Sequence, residues 1–359
     1  MKKVFDSTTV KQLNLKNRFF RSATWEGLAD QNGHLTKDLS KVYEDLAKGG
    51  VGVIITGHAN VLESDQPIQN MMGIYDDTFI EEYKQMTDRV HEYGTAVIMQ
   101  IVHGGSNTTF KVNERKIIAP SAVENLAMKT MPQEMTKTEI QEVIKAFADA
   151  AARVKRAGFD GVQLHVAHGF LLNQFLTPYY NRRTDEYGGS IENRARIIAQ
   201  TYQAVRKAVG EDYPVIVKIN CDDFMDNGLS LADSIYVSKL LSDLKVDLIE
   251  VSGGCYSSRE GEGAARIANR PEQESYFKDY AAKIAEQVKV PVALVGGNRS
   301  LETMSQILNN TKIEYFSLSR PLLREPNLVS RWAKGNTEKA KCVSCNQCFV
   351  NPKTCIFNS

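Results

Sequence analysis

The sequence predicts an α/β fold and, within that class, a (β/α)8 TIM barrel. Eight short apolar runs lack the alternation of a half-solvated strand, which is how parallel strands buried on both faces read. Helical stretches lie between these runs. The strand-then-helix unit recurs at a spacing of roughly 40 residues, as expected of an eightfold barrel.

The apolar runs fall at residues 19–24, 51–57, 96–102, 161–165, 215–220, 248–252, 292–295 and 315–317. The helical stretches fall at 36–48, 78–93, 138–156, 191–209, 230–243, 276–288, 300–309 and 328–334. The third helix opens on Thr136 with Glu139, and the fifth on Ser230 with Asp233. Such pairs satisfy the orphan N–H groups of a first helical turn. A doubly wound sheet is the main competitor. It usually carries a Gly-rich dinucleotide fingerprint after its first strand, and none follows residues 19–24. No linker or low-complexity segment interrupts the pattern. The barrel is expected over residues 1–340, with residues 341–359 as a short Cys-rich tail.

The 359 residues suffice for a large core. Lys plus Arg number 44 and Asp plus Glu 43, so the net charge is +1. That balance gives no electrostatic case for nucleic acid or an anionic membrane as partner. Hydrophobic residues at 42% and charged residues at 24% exclude a disordered chain. No apolar run approaches the ~18 residues of a membrane span, and residues 1–6 have no apolar core of a signal peptide. A cytoplasmic enzyme with a small-molecule substrate is the expectation. Of six cysteines, Cys342, Cys345, Cys348 and Cys355 crowd the C-terminal end, a placement unlike a disulfide scaffold and closer to a metal site or its remnant.

Barrel active sites lie at the C-terminal ends of the strands. Two histidines, His165 and His168, stand at the end of the fourth run. They suit two tasks: hydrogen-bonding one ligand oxygen, or ligating a metal with His103 as third ligand. A structural pair is the plain alternative. Gly296-Gly297-Asn298 follows the seventh run, and Ser319-Arg320 the eighth. Loops after strands seven and eight are where such barrels hold phosphates, and Arg320 supplies a bidentate cation.

Five segments, read together, resemble the old yellow enzyme family of flavin oxidoreductases. They are Asn-Arg-Phe-Phe-Arg-Ser-Ala-Thr ending at Thr24, Gln100-Ile101-Val102-His103-Gly104-Gly105, His165-x-x-His168-Gly169, Asn-Arg-Arg-Thr-Asp-Glu-Tyr-Gly-Gly-Ser ending at Ser190, and Ser319-Arg320-Pro321-Leu322-Leu323. The resemblance is strongest to the branch related to 2,4-dienoyl-CoA reductase, without that enzyme's nucleotide-binding half. It implies an FMN-binding barrel reduced by NADH or NADPH. Ala23 and Thr24 would touch the flavin ring, Gly57 would let the backbone approach it, and Gln100 would bind its pyrimidine edge. Lys218 would stand beside N1 and O2, where the reduced ring carries negative charge. Gly296, Gly297, Asn298, Ser319 and Arg320 would hold the phosphate. His165 and His168 would bind the acceptor's oxygen. Family members are often homo-oligomers.

Two departures bear on chemistry. Phe170 stands where the family usually has a tyrosine proton donor, and it has no proton to give. Tyr256, Tyr179 or water are the substitutes. Trp25 follows Thr24 where relatives often carry a small or thiol residue. An indole there narrows the pocket or points into the wall. The tail reads Cys342-x-x-Cys345-x-x-Cys348-x6-Cys355, which suits a [4Fe–4S] cluster, zinc, or a remnant with free thiols. Three other readings stay open. Lys218 would serve a Schiff-base aldolase, or be half of a buried ion pair with Asp222. The chain would otherwise be a flavin-binding electron-transfer or redox-sensing module.

Overall fold

The computed structural model describes residues 1–350 and 355–358. Eight parallel strands close on themselves. They are β1 (Phe19–Arg21), β2 (Val53–Asn60), β3 (Ala96–Val102), β4 (Gly161–Val166), β5 (Val215–Asn220), β6 (Leu248–Ser252), β7 (Val292–Val295) and β8 (Ile313–Leu318). Each pairs with the next, and β8 closes on β1 through Phe316 opposite Phe19. Around them run α1 (Lys37–Lys48), α2 (Ile80–His91), α3 (Lys137–Arg156), α4 (Arg196–Val209), α5 (Leu231–Asp243), α6 (Lys278–Gln287), α7 (Leu301–Asn310) and α8 (Leu328–Ala333). The expected helix 191–209 is broken at Ala195, into a short Ile191–Arg194 turn and α4.

The strand side chains alternate between two cores, as a period of two requires. On β5, Val215, Val217 and Ile219 face the helices, while Ile216 faces the barrel axis. The axial core at the lower end holds Phe20, Val53, Ile55, Ile98, Ile216, Leu248, Ala293 and Tyr315. An antiparallel hairpin, Thr8–Val10 with Leu13–Leu15, adds Val10 and Leu15 to this core and covers the barrel floor. Tyr315 fixes it by donating to Thr9 O at 3.2 Å.

One irregularity redirects the mouth of the barrel. Ile55 pairs with Ile98, yet His58 pairs with Gln100, so β2 advances one residue more than β3. Such a bulge shifts the inward set by one. Strand β2 also runs to Asn60, beyond the Gly57 limit expected from sequence. His58 is thereby turned into the mouth.

Helix α3 shows the local logic of the outer layer. Thr136 Oγ1 accepts from Glu139 N at 3.2 Å, and Glu139 Oε2 accepts from Thr136 N at 2.8 Å, a complete capping box. Its buried face carries Ile140, Val143, Phe147, Ala150 and Val154. Ser230 caps α5 by accepting from Asp233 N at 3.2 Å. Replacing Thr136 by Ala is expected to lower unfolding stability by about 1 kcal/mol, read as a lower urea midpoint at unchanged slope.

Candidate active site

A cavity of about 890 Å³ opens at the C-terminal ends of the strands. Ala23, Thr24, Trp25, Gln100, His165, His168, Phe170, Lys218, Tyr256, Gly296, Gly297, Asn298, Ser319 and Arg320 all line it. So do His58, Ile68 and Ser252, to which the sequence alone assigns no role. Gly57 is not among the lining residues. A Cβ there would collide with the Glu26 carboxylate and Thr24 O, so this glycine is required by the buried Arg21–Glu26 pair behind the wall.

Above the apolar barrel floor the inward positions are polar. Gln100 Nε2 donates to Gln163 Oε1 at 2.7 Å, and Gln163 Nε2 to Glu250 Oε2 at 3.0 Å. Lys218 Nζ donates to Ser22 Oγ at 2.9 Å, and Ser22 Oγ to Glu250 Oε1 at 2.8 Å. Lys218 Nζ lies 3.4 Å from Glu250 Oε2. The buried partner of Lys218 is therefore Glu250, its neighbour across the β5–β6 ladder, and not Asp222. Asp222 instead accepts from Phe224 N at 2.6 Å in its own turn. Hydrogen-bonded to Ser22 and 3.4 Å from Glu250, Lys218 is committed to this polar layer, and the aldolase reading gains no support.

The histidines occupy the rim of this layer. His168 adopts a left-handed backbone, φ 61°, followed by Gly169 at φ 82°. A non-glycine residue held so costs about 1 kcal/mol or more and persists only under surrounding constraint. Here Asn220 Oδ1 accepts from His168 N at 3.2 Å, and Asn173 Oδ1 from Gly169 N at 2.7 Å. The turn brings His168 Nε2 to 2.7 Å from Ser252 Oγ. The His165 and His168 rings meet edge to face, 5.2 Å apart. His103 does not join them. Its Nδ1 lies 3.3 Å from Asp65, outside the cavity lining, so the expected third metal ligand is committed elsewhere. Three buried nitrogens of the site have no hydrogen-bond partner among the described residues: Trp25 Nε1, His58 Nε2 and His165 Nδ1. The indole faces this pocket, packed with Phe170, Ile68, Met71 and Val102. Phe170 is buried and Tyr256 is 60% exposed at the cavity's edge.

The far end is built around Arg320. Its guanidinium is buried and donates to Asn346 Oδ1 at 2.5 Å and Arg266 O at 2.9 Å. It has no carboxylate partner among the described residues. The Asn298 amide ties Leu294 O to Ser317 O, at 2.8 and 3.0 Å, so it braces the two loops. Gly296 and Gly297 have φ of 114° and 74°, and a Cβ on either would strike the Tyr276 ring. Ser319 Oγ and Thr24 Oγ1 are 2.7 Å apart.

Cys342, Cys345, Cys348 and Cys355 line one small cavity with Arg320. Arg320, Leu323, Ser344, Asn346 and Cys348 line both cavities, so the two share a wall. Among the described residues no three His, Cys, Asp or Glu side chains form a group suited to one metal ion. No helix among them is long and apolar enough to cross a membrane.

A family model described as the NADH:flavin oxidoreductase / NADH oxidase family matches residues 3–339. The chain belongs to this family. It is 35% identical to an NADPH dehydrogenase of Bacillus velezensis over 339 residues, 94% of this chain and 96% of that protein. It is 32% identical to an NADH oxidase of Thermoanaerobacter brockii over 370 residues, 97% of this chain and 56% of that protein. In structure it is similar to a 2-naphthoyl-CoA reductase (TM-score 0.89, 24% identity, 96% of this chain and 54% of that one). It is also similar to an old yellow enzyme homologue from Zymomonas mobilis (TM-score 0.81, 23% identity, 94% of each chain). The chain thus spans about half the length of the NADH oxidase and of the naphthoyl-CoA reductase. The residues present fit the family's flavin. Among the described residues, a buried guanidinium with no carboxylate partner stands at one end of the cavity, and nitrogens with no hydrogen-bond partner stand at the other.

Burial holds His165 and His168 well below the usual imidazole pKa, and burial followed by the Lys218 charge brings His58 to about 4. The folded chain therefore binds fewer protons than the unfolded one between these values and 6.5. Stability rises with pH across that window and is lost as pH falls through it. His58→Phe is expected to reduce the loss between pH 6.5 and 4 by roughly 3 kcal/mol, read as the difference in urea unfolding between variant and wild type at the two pH values.

Proposed function

We propose that this protein is an FMN-dependent NAD(P)H oxidoreductase. It transfers hydride from NADH or NADPH to an α,β-unsaturated carbonyl or a similar small oxidant. The observation that carries the reading is the charge layout of one cavity. Arg320 and the loop at Gly296–Gly297 would hold a phosphate. Lys218 would stand by the flavin's pyrimidine edge, its position fixed by Ser22 and Glu250, with Gln100 beside it held by Gln163. Bound FMN would supply the hydride relay between nicotinamide and acceptor.

The remaining steps belong to this chain's own residues. His165 and His168, kept neutral by burial, would donate to the acceptor's oxygen and polarise it. Both substrates would use this one pocket in turn, which implies ping-pong kinetics. Phe170 offers no proton, so the proton for Cα would come from water or from Tyr256 at the open edge.

Cys342, Cys345, Cys348 and Cys355 line a small cavity that shares a wall with the main one, but among the described residues no three of them are grouped around one metal position, so a [4Fe–4S] reading rests on their spacing alone. The test is a visible spectrum of protein purified without air, before and after NADH or NADPH. A flavin spectrum that bleaches, with turnover of a small acceptor, is expected. A protein that takes up no FMN overturns the proposal, and bleaching without turnover of any acceptor favours a redox-sensing module. About four irons per chain are expected for the cluster. Iron-free protein with full flavin makes the thiols a remnant.

Phe170→Tyr places a phenol beside the histidines. It is expected to raise turnover of a cyclic enone by ~10-fold or more at unchanged FMN content, measured under saturating NADPH.

A further inference from the structure

A third imidazole stands at the barrel mouth. The β2 bulge turns His58 inward, and its ring lies 6.3 Å from that of His165 and 5.3 Å from that of Phe170. His58 is 8% exposed, lines the cavity, and has its Nε2 buried without a partner among the described residues. Ile68, Phe170 and Trp25 make the surroundings apolar. An unmatched polar atom in such a place is costly unless a ligand satisfies it.

Lone-pair counting narrows what that ligand is. A carbonyl oxygen accepts two hydrogen bonds. With His165 and His168 on it, both lone pairs are used, and His58 has no acceptor left on that atom. A planar group with two oxygens supplies one. We propose that His58 is an acceptor-binding residue whose imidazole, turned about its side-chain bonds toward the cavity it lines, donates from Nε2 to the second oxygen of a nitro or carboxyl group. The site thereby favours alkenes activated by such a group over those activated by an aldehyde. This rests on the hydride-transfer reading above and adds the acceptor's class to it. Because burial keeps His58 uncharged near neutral pH, it acts by hydrogen bonding and not by delivering a proton.

Three alkenes of one skeleton test this: β-nitrostyrene, cinnamate and cinnamaldehyde. Each is offered to the flavin-loaded wild type, His58→Phe and His58→Gln with NADPH. The kcat/KM ratio of nitrostyrene to cinnamaldehyde is expected to fall about tenfold in His58→Phe, the effect of one buried hydrogen bond, with the loss concentrated in KM. His58→Gln, which keeps an N–H donor, is expected to recover most of that ratio. The cinnamate arm separates a charged two-oxygen group from a neutral one. Titrating nitrobenzene, benzoate and benzaldehyde into the oxidised flavoprotein measures the same discrimination without turnover. An unchanged nitro-to-aldehyde ratio, in kinetics or in binding, overturns the role of His58. If no alkene is reduced at all, the hydride-transfer reading fails instead, and the binding titration still decides on His58.

Discussion

An ammonium group in the centre of a closed barrel is the constraint on which this site depends. Lys218 points to the axis because Ile216 does, two residues earlier on the same strand. Buried there, its charge needs a compensating carboxylate and satisfied hydrogen bonds. Glu250 provides the first from the adjacent strand. Ser22, Gln163 and Gln100 complete the second, so one polar layer links β1-side, β3, β4, β5 and β6 residues across the barrel. Removing one partner of such a pair typically costs 3–5 kcal/mol, which makes this layer a rigid base for the rim above it.

Lys218 and Arg320, two of the cations that line the cavity, are treated differently. Lys218 sits in a neutralised pair, so it presents an oriented dipolar group as much as a bare charge. Arg320 donates only to neutral oxygens among the described residues. A flavin phosphate at Arg320 and a ring edge at Lys218 would make use of that difference: the dianionic end would meet a charge with no carboxylate partner among the described residues, and the ring would meet a fixed polar layer. Burial lowers the pKa of the imidazoles between them, so they would orient acceptors without adding further charge.

Much of the site was legible in the sequence because each residue sits just past a strand end. His165, His168, Gly296, Gly297 and Arg320 were found that way, and all line one cavity. Other residues were not. Glu250 lay inside an apolar run with nothing to mark it as the partner of Lys218, although its place two residues before Ser252 on one strand face was a usable signal. Ser252 lay on the last position of its run, where a lone serine carries little weight. Gly57 was assigned to ring contact, but the Glu26 carboxylate occupies the space its side chain would take. His58 stands just past the end of its apolar run, but the sequence alone assigns it no role, because its inward turn depends on the bulge in β2.

By itself the sequence determined the alternation of strands and helices, the barrel that follows from it, and which polar residues stand at most strand ends. These rest on local periodicity and on chain order, both properties of a one-dimensional pattern. Only the tertiary structure decided which buried groups are partners and which remain unmatched. Lys218 meets Glu250 through the ladder register of β5 and β6. His58 enters the pocket through one extra residue in β2 relative to β3. Register and bulges arise from pairing between strands distant in sequence, so no single segment encodes them.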